Sequence, residues 1–102
     1  MNRLSLRLYI AGDSVRSEAA ARNLRRLLDE IVGSDYELKI VDVIRAPAQA
    51  EQALVLATPT LIKYQPLPVR RIIGDLSDRD ALFSGLDLDI YDDKKAQEDV
   101  RS

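Results

Sequence analysis

The first 44 residues predict a strand, a helix and a second strand, and this order constrains the fold more than any other feature of the chain. The first segment alternates apolar and polar residues with the period of two that indicates a strand with one face on a core. Leucines at helical spacing follow over about 15–32, and Gly33 is a natural C-terminal stop. Residues 36–44 are rich in β-branched side chains and nearly continuously apolar after Lys39, as in a strand covered on both faces. Parallel strands joined by a helix form a right-handed βαβ unit. The patterned positions are Leu4, Leu6, Leu8 and Ile10 in the strand, and Leu24, Leu27, Leu28 and Ile31 in the helix.

The second half of the chain predicts a short helix, a hairpin and a further helix. Residues 47–56 begin with a proline suited to a first helical turn and continue with good helix formers. An extended segment over 57–64 and a strand over 69–74 are joined by a proline-containing turn at 66–68, which predicts a hairpin. Ser77 then caps another helix. The predicted fold is an α/β domain with the order β-α-β-α-β-β-α.

Residues 77–91 carry two conflicting local patterns. As a helix, Ser77 caps the segment, and Leu82 and Leu86 stack one turn apart. As a strand, residues 86–91 alternate apolar and polar side chains. Gly85 lies between the two patterns and costs a helix interior roughly 1 kcal/mol relative to Ala. The pattern fits either a short helix that runs into a terminal strand or a segment poised between two states.

Composition excludes most catalytic chemistry. The chain of 102 residues contains neither Cys nor His. Disulfides, Cys/His zinc sites and mechanisms that need a Cys–His or Ser–His–Asp arrangement are therefore ruled out. We expect no enzymatic activity, no metal and no cofactor.

Charge and hydropathy indicate one soluble domain followed by an acidic tail. Hydrophobic residues make up 46% and charged residues 31% of the chain, which is ordinary for a globular protein. No apolar run of about 18 residues is present, so we expect no membrane segment and a cytoplasmic location. The net charge of −2 argues against nucleic-acid binding. We assign the domain to residues 1–91 and predict disorder over 92–102, because acidic residues predominate at the C-terminus.

Two charged groups allow more than one interpretation. Arg70 and Arg71 could form a small phosphate-binding patch or an ordinary interface pair. Adjacent strand residues point to opposite faces, so only one of the two can readily join a given site. The carboxylates at 75, 78 and 80 could suggest a metal or acid–base cluster, but capping of a helix start explains them better.

Several sequence strings closely resemble the KaiB family of circadian-clock proteins. The element order, with Thr58-Pro59 opening the third strand, is the pattern of the thioredoxin-like fold, in which this proline is usually cis. Where a thioredoxin has Cys-x-x-Cys, residues 12–15 read Gly-Asp-Ser-Val, which excludes redox catalysis. The resemblance to KaiB runs without gaps over about 4–91. Its strings are LYIAG at 8–12, IVDV at 40–43, LATPTL at 56–61, VRRIIGDLS at 69–77 and GLDL at 85–88.

The resemblance implies a metamorphic clock or timer protein with two folds. A rare thioredoxin-like monomer would bind the N-terminal ATPase ring of the KaiC hexamer and regulate its phosphorylation and ATPase cycle. The ground state would be a dimer or tetramer with the order β-α-β-β-α-α-β. KaiA and a KaiB-like sensor kinase that competes for KaiC are further implied partners.

The resemblance also assigns candidate residues. The KaiC-binding surface is centred on the second helix, at Pro47, Ala50, Glu51 and Leu54. Gly85 and Asp87 match the family's switch-controlling positions. The slow exchange of X-Pro bonds adds Thr58, Pro59, Pro66 and Pro68 as fold-switch candidates.

Two positions depart from the family pattern. Leu54 stands where typical clock members carry Lys, and Ala19 where cyanobacterial members tend to have Arg. Both changes remove charge from partner-facing surfaces. They leave open a divergent paralogue with a non-clock role, such as stress response or holdase activity.

Overall fold

The computed structural model describes residues 3–74 and 76–87. These residues form four strands and three helices in the predicted order β-α-β-α-β-β-α, which is therefore confirmed. The elements are β1 (Leu4–Ile10), α1 (Val15–Val32), β2 (Tyr36–Asp42), α2 (Pro47–Gln52), β3 (Thr60–Gln65), β4 (Arg70–Ile73) and α3 (Arg79–Gly85).

The strands form one mixed sheet in the order β2-β1-β3-β4. β1 runs parallel to β2, as a βαβ unit requires, and antiparallel to β3. β3 pairs antiparallel with β4, which confirms the predicted hairpin. β2 and β4 are therefore the sheet edges.

One face of the sheet is sealed by a leucine core. Leu4, Leu6 and Leu8 project from β1 on the alternating positions that the sequence predicts, and all three are buried. Leu24, Leu27 and Leu28 of α1 pack against them in the same cluster. Leu82 and Leu86 are also buried in it, as the helical pattern of 77–86 predicts. α1 and α3 thus cover this face together.

The opposite face is covered only in part. Tyr9, Val41 and Ile62 form a small second cluster there, packed by partly buried residues of α2 and its flanking loops. α2 has six residues, and a helix of that length spans only about 9 Å. The rest of this face remains accessible.

Two predictions for β2 are wrong, one for its end and one for its burial. β2 ends at Asp42 rather than at residue 44, because the Asp42 carboxylate accepts a hydrogen bond from the Ile44 amide and starts a turn. Ile40 is 40% exposed, so β2 is not covered on both faces. Ile40 pairs with Leu8 on the face that α1 covers, but β2 is the edge of the sheet, where that cover is incomplete.

Later boundaries also differ from the predictions. α2 ends at Gln52 rather than at residue 56, because Leu54 adopts a left-handed backbone with φ of 56°. β3 begins at Thr60 rather than at residue 57. Asp78, not Ser77, caps α3, and its carboxylate accepts from the amides of Asp80 and Ala81. A carboxylate at the positive end of a helix is favourable.

The predicted strand over residues 86–91 is absent at 86 and 87, the two residues of this range that the structure describes. Leu86 and Asp87 form a turn after α3. Residues 88–91, the acidic tail assigned to 92–102 and Asp75 lie outside the described residues. No helix within 3–74 and 76–87 is long and apolar enough to cross a membrane.

Candidate functional site

α2 and the loop that follows it form the most accessible part of the second sheet face. Pro47, Glu51 and Leu54 are exposed, so these three predicted site residues share one accessible segment. Ala50 is buried, with 8% of its surface exposed. It can serve the surface only by packing α2 onto the sheet, not by contact with a partner.

Asp42 holds the start of α2 in place. Its Oδ1 accepts a hydrogen bond of 2.9 Å from the Gly12 amide and another of 2.9 Å from the Ile44 amide. The Asp42 carbonyl also accepts from the Arg45 and Ala46 amides. The hydrogen bonds from Gly12 and Ile44 hold the pKa of the Asp42 carboxyl below its usual range. Since α2 has no side-chain cap of its own, this turn is what sets its direction.

Arg71 holds the end of the same helix. Its Nη2 donates to the Ala53 carbonyl at 2.9 Å and its Nη1 to the Leu54 carbonyl at 3.1 Å. A helix leaves its last carbonyls without intrahelical partners, and the arginine fork satisfies the one at the C-cap Ala53 and the next carbonyl of the following loop. Arg70 has no such contact in the described part of the chain. Of the adjacent pair, one arginine therefore joins this site, as strand alternation predicts.

Exposed leucines follow the helix. Leu54 is 70% and Leu56 is 94% exposed. Val55, between them, packs on the cluster of Tyr9, Val41 and Ile62. Packing of Val55 holds the segment in place and leaves both leucines exposed to solvent. Burial of these leucines by a partner would be favourable.

A polar cavity of about 210 Å³ adjoins α2. Tyr9 and Tyr64 share a hydrogen bond of 3.1 Å between their hydroxyl oxygens at this cavity. The Arg7 guanidinium lies over the Tyr64 ring, with its carbon 5.0 Å from the ring centre. This site was not predicted from the sequence. The signal was present, because alternation places Arg7 and Tyr9 on one face of β1.

A second cavity, of about 230 Å³, lies between α1 and Pro59. Arg16, Asn23 and Ser77 are its polar residues. Its described lining residues include no carboxylate and therefore provide no acid–base pair. Within 3–74 and 76–87, no group of three or more carboxylates could hold a metal ion.

The family model of the KaiB domain matches residues 7–88 of the chain. The chain belongs to the KaiB family. Among its relatives, circadian clock protein KaiB3 of Synechocystis is 48% identical over 88 residues, which cover 86% of each chain. The circadian clock oscillator protein KaiB of Synechococcus elongatus is 51% identical over 83 residues, which cover 81% of each chain.

Solved structures place the KaiB-family chain in the thioredoxin-like fold. The N-terminal domain of Synechococcus elongatus SasA superposes with a TM-score of 0.70 at 23% identity, covering 82% of this chain and 83% of that one. Thioredoxin 1 of Thermosipho africanus superposes with a TM-score of 0.67 at 14% identity, covering 88% and 98%. Both similarities concern the fold alone.

The candidate switch residues of this KaiB-family chain lie in two regions. The Thr58-Pro59, Gln65-Pro66 and Leu67-Pro68 bonds are cis and flank β3. Gly85 is the last residue of α3, and Asp87 follows it with a φ of 59°. Thr58 and Pro59 follow closely on the segment that carries Leu54 and Leu56, whereas Gly85 and Asp87 lie at the end of α3.

Proposed function

We propose that the chain is a non-enzymatic clock component that binds the N-terminal ATPase ring of KaiC as a thioredoxin-like monomer. In this state it regulates the phosphorylation and ATPase cycle of KaiC. α2 and residues 53–57 form the contact surface. KaiA would join the same assembly, and a KaiB-like sensor kinase would compete with the chain for KaiC. The clock names of its relatives favour this role over the stress-response alternative.

The exposure of Leu54 and Leu56 carries the proposal. The segment after α2, a helix whose start and end are held by hydrogen bonds, presents two largely exposed leucines. Apolar side chains held in solvent by a packed neighbour are typical of a docking surface.

We further propose that the thioredoxin-like form is a minor state in exchange with a dimeric or tetrameric ground state. Asp87 supports a switch at the end of α3. Its carboxylate lies at the negative end of a helix, which is unfavourable by about 0.3–1 kcal/mol. Replacing that charge would stabilise α3 and raise the binding-competent fraction about 2- to 5-fold.

Native mass spectrometry of the chain with KaiC and ATP tests the contact surface. We expect a complex with one copy per ring subunit, and a weaker complex for Leu56→Asp. Val15→Asp is the matched control, because Val15 is 82% exposed and belongs to α1, the helix that covers the opposite face of the sheet. A complex that both variants form equally well would contradict the α2 surface.

The rate of complex formation tests the switch. Asp87→Arg should form the complex about 2- to 5-fold faster than the wild type. Asp87→Asn, which removes the charge but keeps a residue that tolerates a left-handed backbone, should also form it faster. Identical rates for all three proteins would argue against a switch at this site.

A further inference from the structure

Three cationic side chains form a row across the partly open sheet face. Arg7 on β1 pairs in register with Lys39 on β2 and with Ile62 on β3, and Ile62 pairs with Arg71 on β4. Residues paired directly in neighbouring strands project from the same face. Lys39, Arg7 and Arg71 therefore lie in line. Glu37 is on the same face and pairs with Ser5, one step farther along β1.

The cations of this row have no acidic partner within 3–74 and 76–87. The ion pairs of that part of the chain belong to Arg45 and Arg79. Arg71 donates to two carbonyls instead. Arg7 stacks on Tyr64, and a stacked guanidinium keeps its in-plane N–H donors available.

Further donors converge on the cavity beside Arg7. The lining residues are Arg7, Tyr9, Gln49, Gln52, Ala53 and Tyr64, with no carboxylate among them. Only one hydrogen lies between the hydroxyl oxygens of Tyr9 and Tyr64, so the other phenolic hydrogen needs a different acceptor. The carboxamides of Gln49 and Gln52 add N–H donors. The cavity is thus lined by a guanidinium, two phenolic hydroxyls and two carboxamides, all of which are groups that can donate to an acceptor.

The electrostatics of Tyr64 place both arginines near this cavity. Burial and the hydrogen bond with Tyr9 raise the pKa of the Tyr64 hydroxyl, while the positive charges of Arg7 and Arg71 oppose that rise. A half-buried site with positive potential and several donors is suited to an oxyanion, because charge-assisted hydrogen bonds are the strongest available to it.

We propose that this cavity receives a carboxylate side chain of the protein partner that docks on α2, an inference that rests on the proposed function. Arg7 and the free phenolic hydrogen bind the carboxylate, and Gln49 and Gln52 on α2 close over it. Lys39 and Arg71 add positive potential on either side. Charge complementarity of this kind sets the register of a complex and speeds its formation.

Equilibrium binding of the full chain to the KaiC N-terminal ring, with ATP and at two salt concentrations, tests the proposal. Arg7→Gln should bind about tenfold more weakly, with a smaller salt dependence. Tyr64→Phe keeps the ring under Arg7 and removes only the hydroxyl, and should bind about threefold more weakly. Arg22→Gln, on the exposed side of α1, is the matched control and should bind like the wild type.

The outcomes separate this inference from the proposed function. If the wild type binds, and the affinities of Arg7→Gln and Tyr64→Phe both equal that of Arg22→Gln, the carboxylate site is overturned. The proposed α2 surface would then be unaffected. Absence of binding by every protein, wild type included, would overturn both. Thermal unfolding of each variant checks the fold, and Tyr64→Phe decides the result if Arg7→Gln is destabilised.

Discussion

At the scale of single residues, Asp42 links two loops that are 30 residues apart in sequence. One carboxylate oxygen accepts from Gly12 after β1 and from Ile44 after β2. Two amides aimed at one oxygen favour the ionised form, which is why the pKa of Asp42 is lowered. The charge of Asp42 therefore contributes to the orientation of α2.

The lowered pKa of Asp42 predicts a specific acid sensitivity. The stability from its charge is present above the ordinary carboxyl pKa of about 3.9 and is lost as pH falls through the lower folded-state value. Asp42→Asn keeps an oxygen acceptor and removes the charge, so it should lower the urea midpoint at pH 7. The difference from wild type should shrink below about pH 4. A difference that is constant from pH 7 to pH 3 would contradict this account.

Gly85 illustrates a competition between helix propensity and packing. A Cβ added at this position would lie 2.8 Å from Cδ1 and 2.9 Å from Cγ1 of Ile72. The gain of up to about 1 kcal/mol from replacing Gly by Ala is therefore offset by a clash with β4. Propensity alone predicts that Gly85→Ala favours α3, but the structure reduces that expectation.

A double-mutant cycle with Ile72→Val tests this competition. Val lacks the Cδ1 that lies nearest the added Cβ, so Gly85→Ala should stabilise the chain more in the Ile72→Val background. We expect a coupling of about 0.5–1 kcal/mol in urea unfolding of the four proteins. Strict additivity of the two changes would show that Ile72 moves aside without cost.

At the scale of elements, α2 depends on contacts from outside its own sequence. Its start is set by the Asp42 turn and its end by Arg71 of β4. A helix this short is marginal in isolation. Its geometry therefore follows from the strands around it.

The hydrogen bonds from Arg71 of β4 to the end of α2 predict that substitutions of Arg71 and of its neighbour Arg70 have different effects. Arg71→Lys replaces a fork that reaches two carbonyls with a single ammonium, and should cost roughly 0.5–1 kcal/mol at this exposed position. Hydrogen exchange of the Leu54 and Val55 amides, which bond back into α2, should accelerate. Arg70→Lys, the matched control, should leave it unchanged. Equal acceleration in both variants would show that the tether is not specific to Arg71.

The elements best predicted from sequence are those whose pattern is local. The alternation of β1 and the leucine spacing of α1 predicted bounds that agree with the structure. Both elements bury their leucines in the same core, so the local pattern is enough to define them. The ends of β2 and α2 were wrong because a turn at Asp42 and a left-handed Leu54 stop these elements early, and contacts from distant Gly12 and Arg71 hold both turns in place. The polar cavity was missed for the same reason, since Tyr9 and Tyr64 meet only when β1 pairs with β3.

At the scale of the whole molecule, the two sheet faces have different tasks. The face under α1 and α3 buries a continuous leucine cluster and provides most of the apolar burial. The other face keeps a small cluster and a row of cations under a six-residue helix. Under the proposed function, changes on the second face should alter recognition with little effect on the core, as expected when binding groups lie on a rigid scaffold.

The hydroxyl pair of Tyr9 and Tyr64 also provides an optical probe. The sequence has four tyrosines and no tryptophan, so the near-ultraviolet emission of the chain comes from tyrosine alone. Two of these phenols line the cavity beside α2. A carboxylate that enters it would accept the phenolic hydrogen and quench this emission, so occupation of the cavity by a tyrosine-free acidic peptide could be followed without a label.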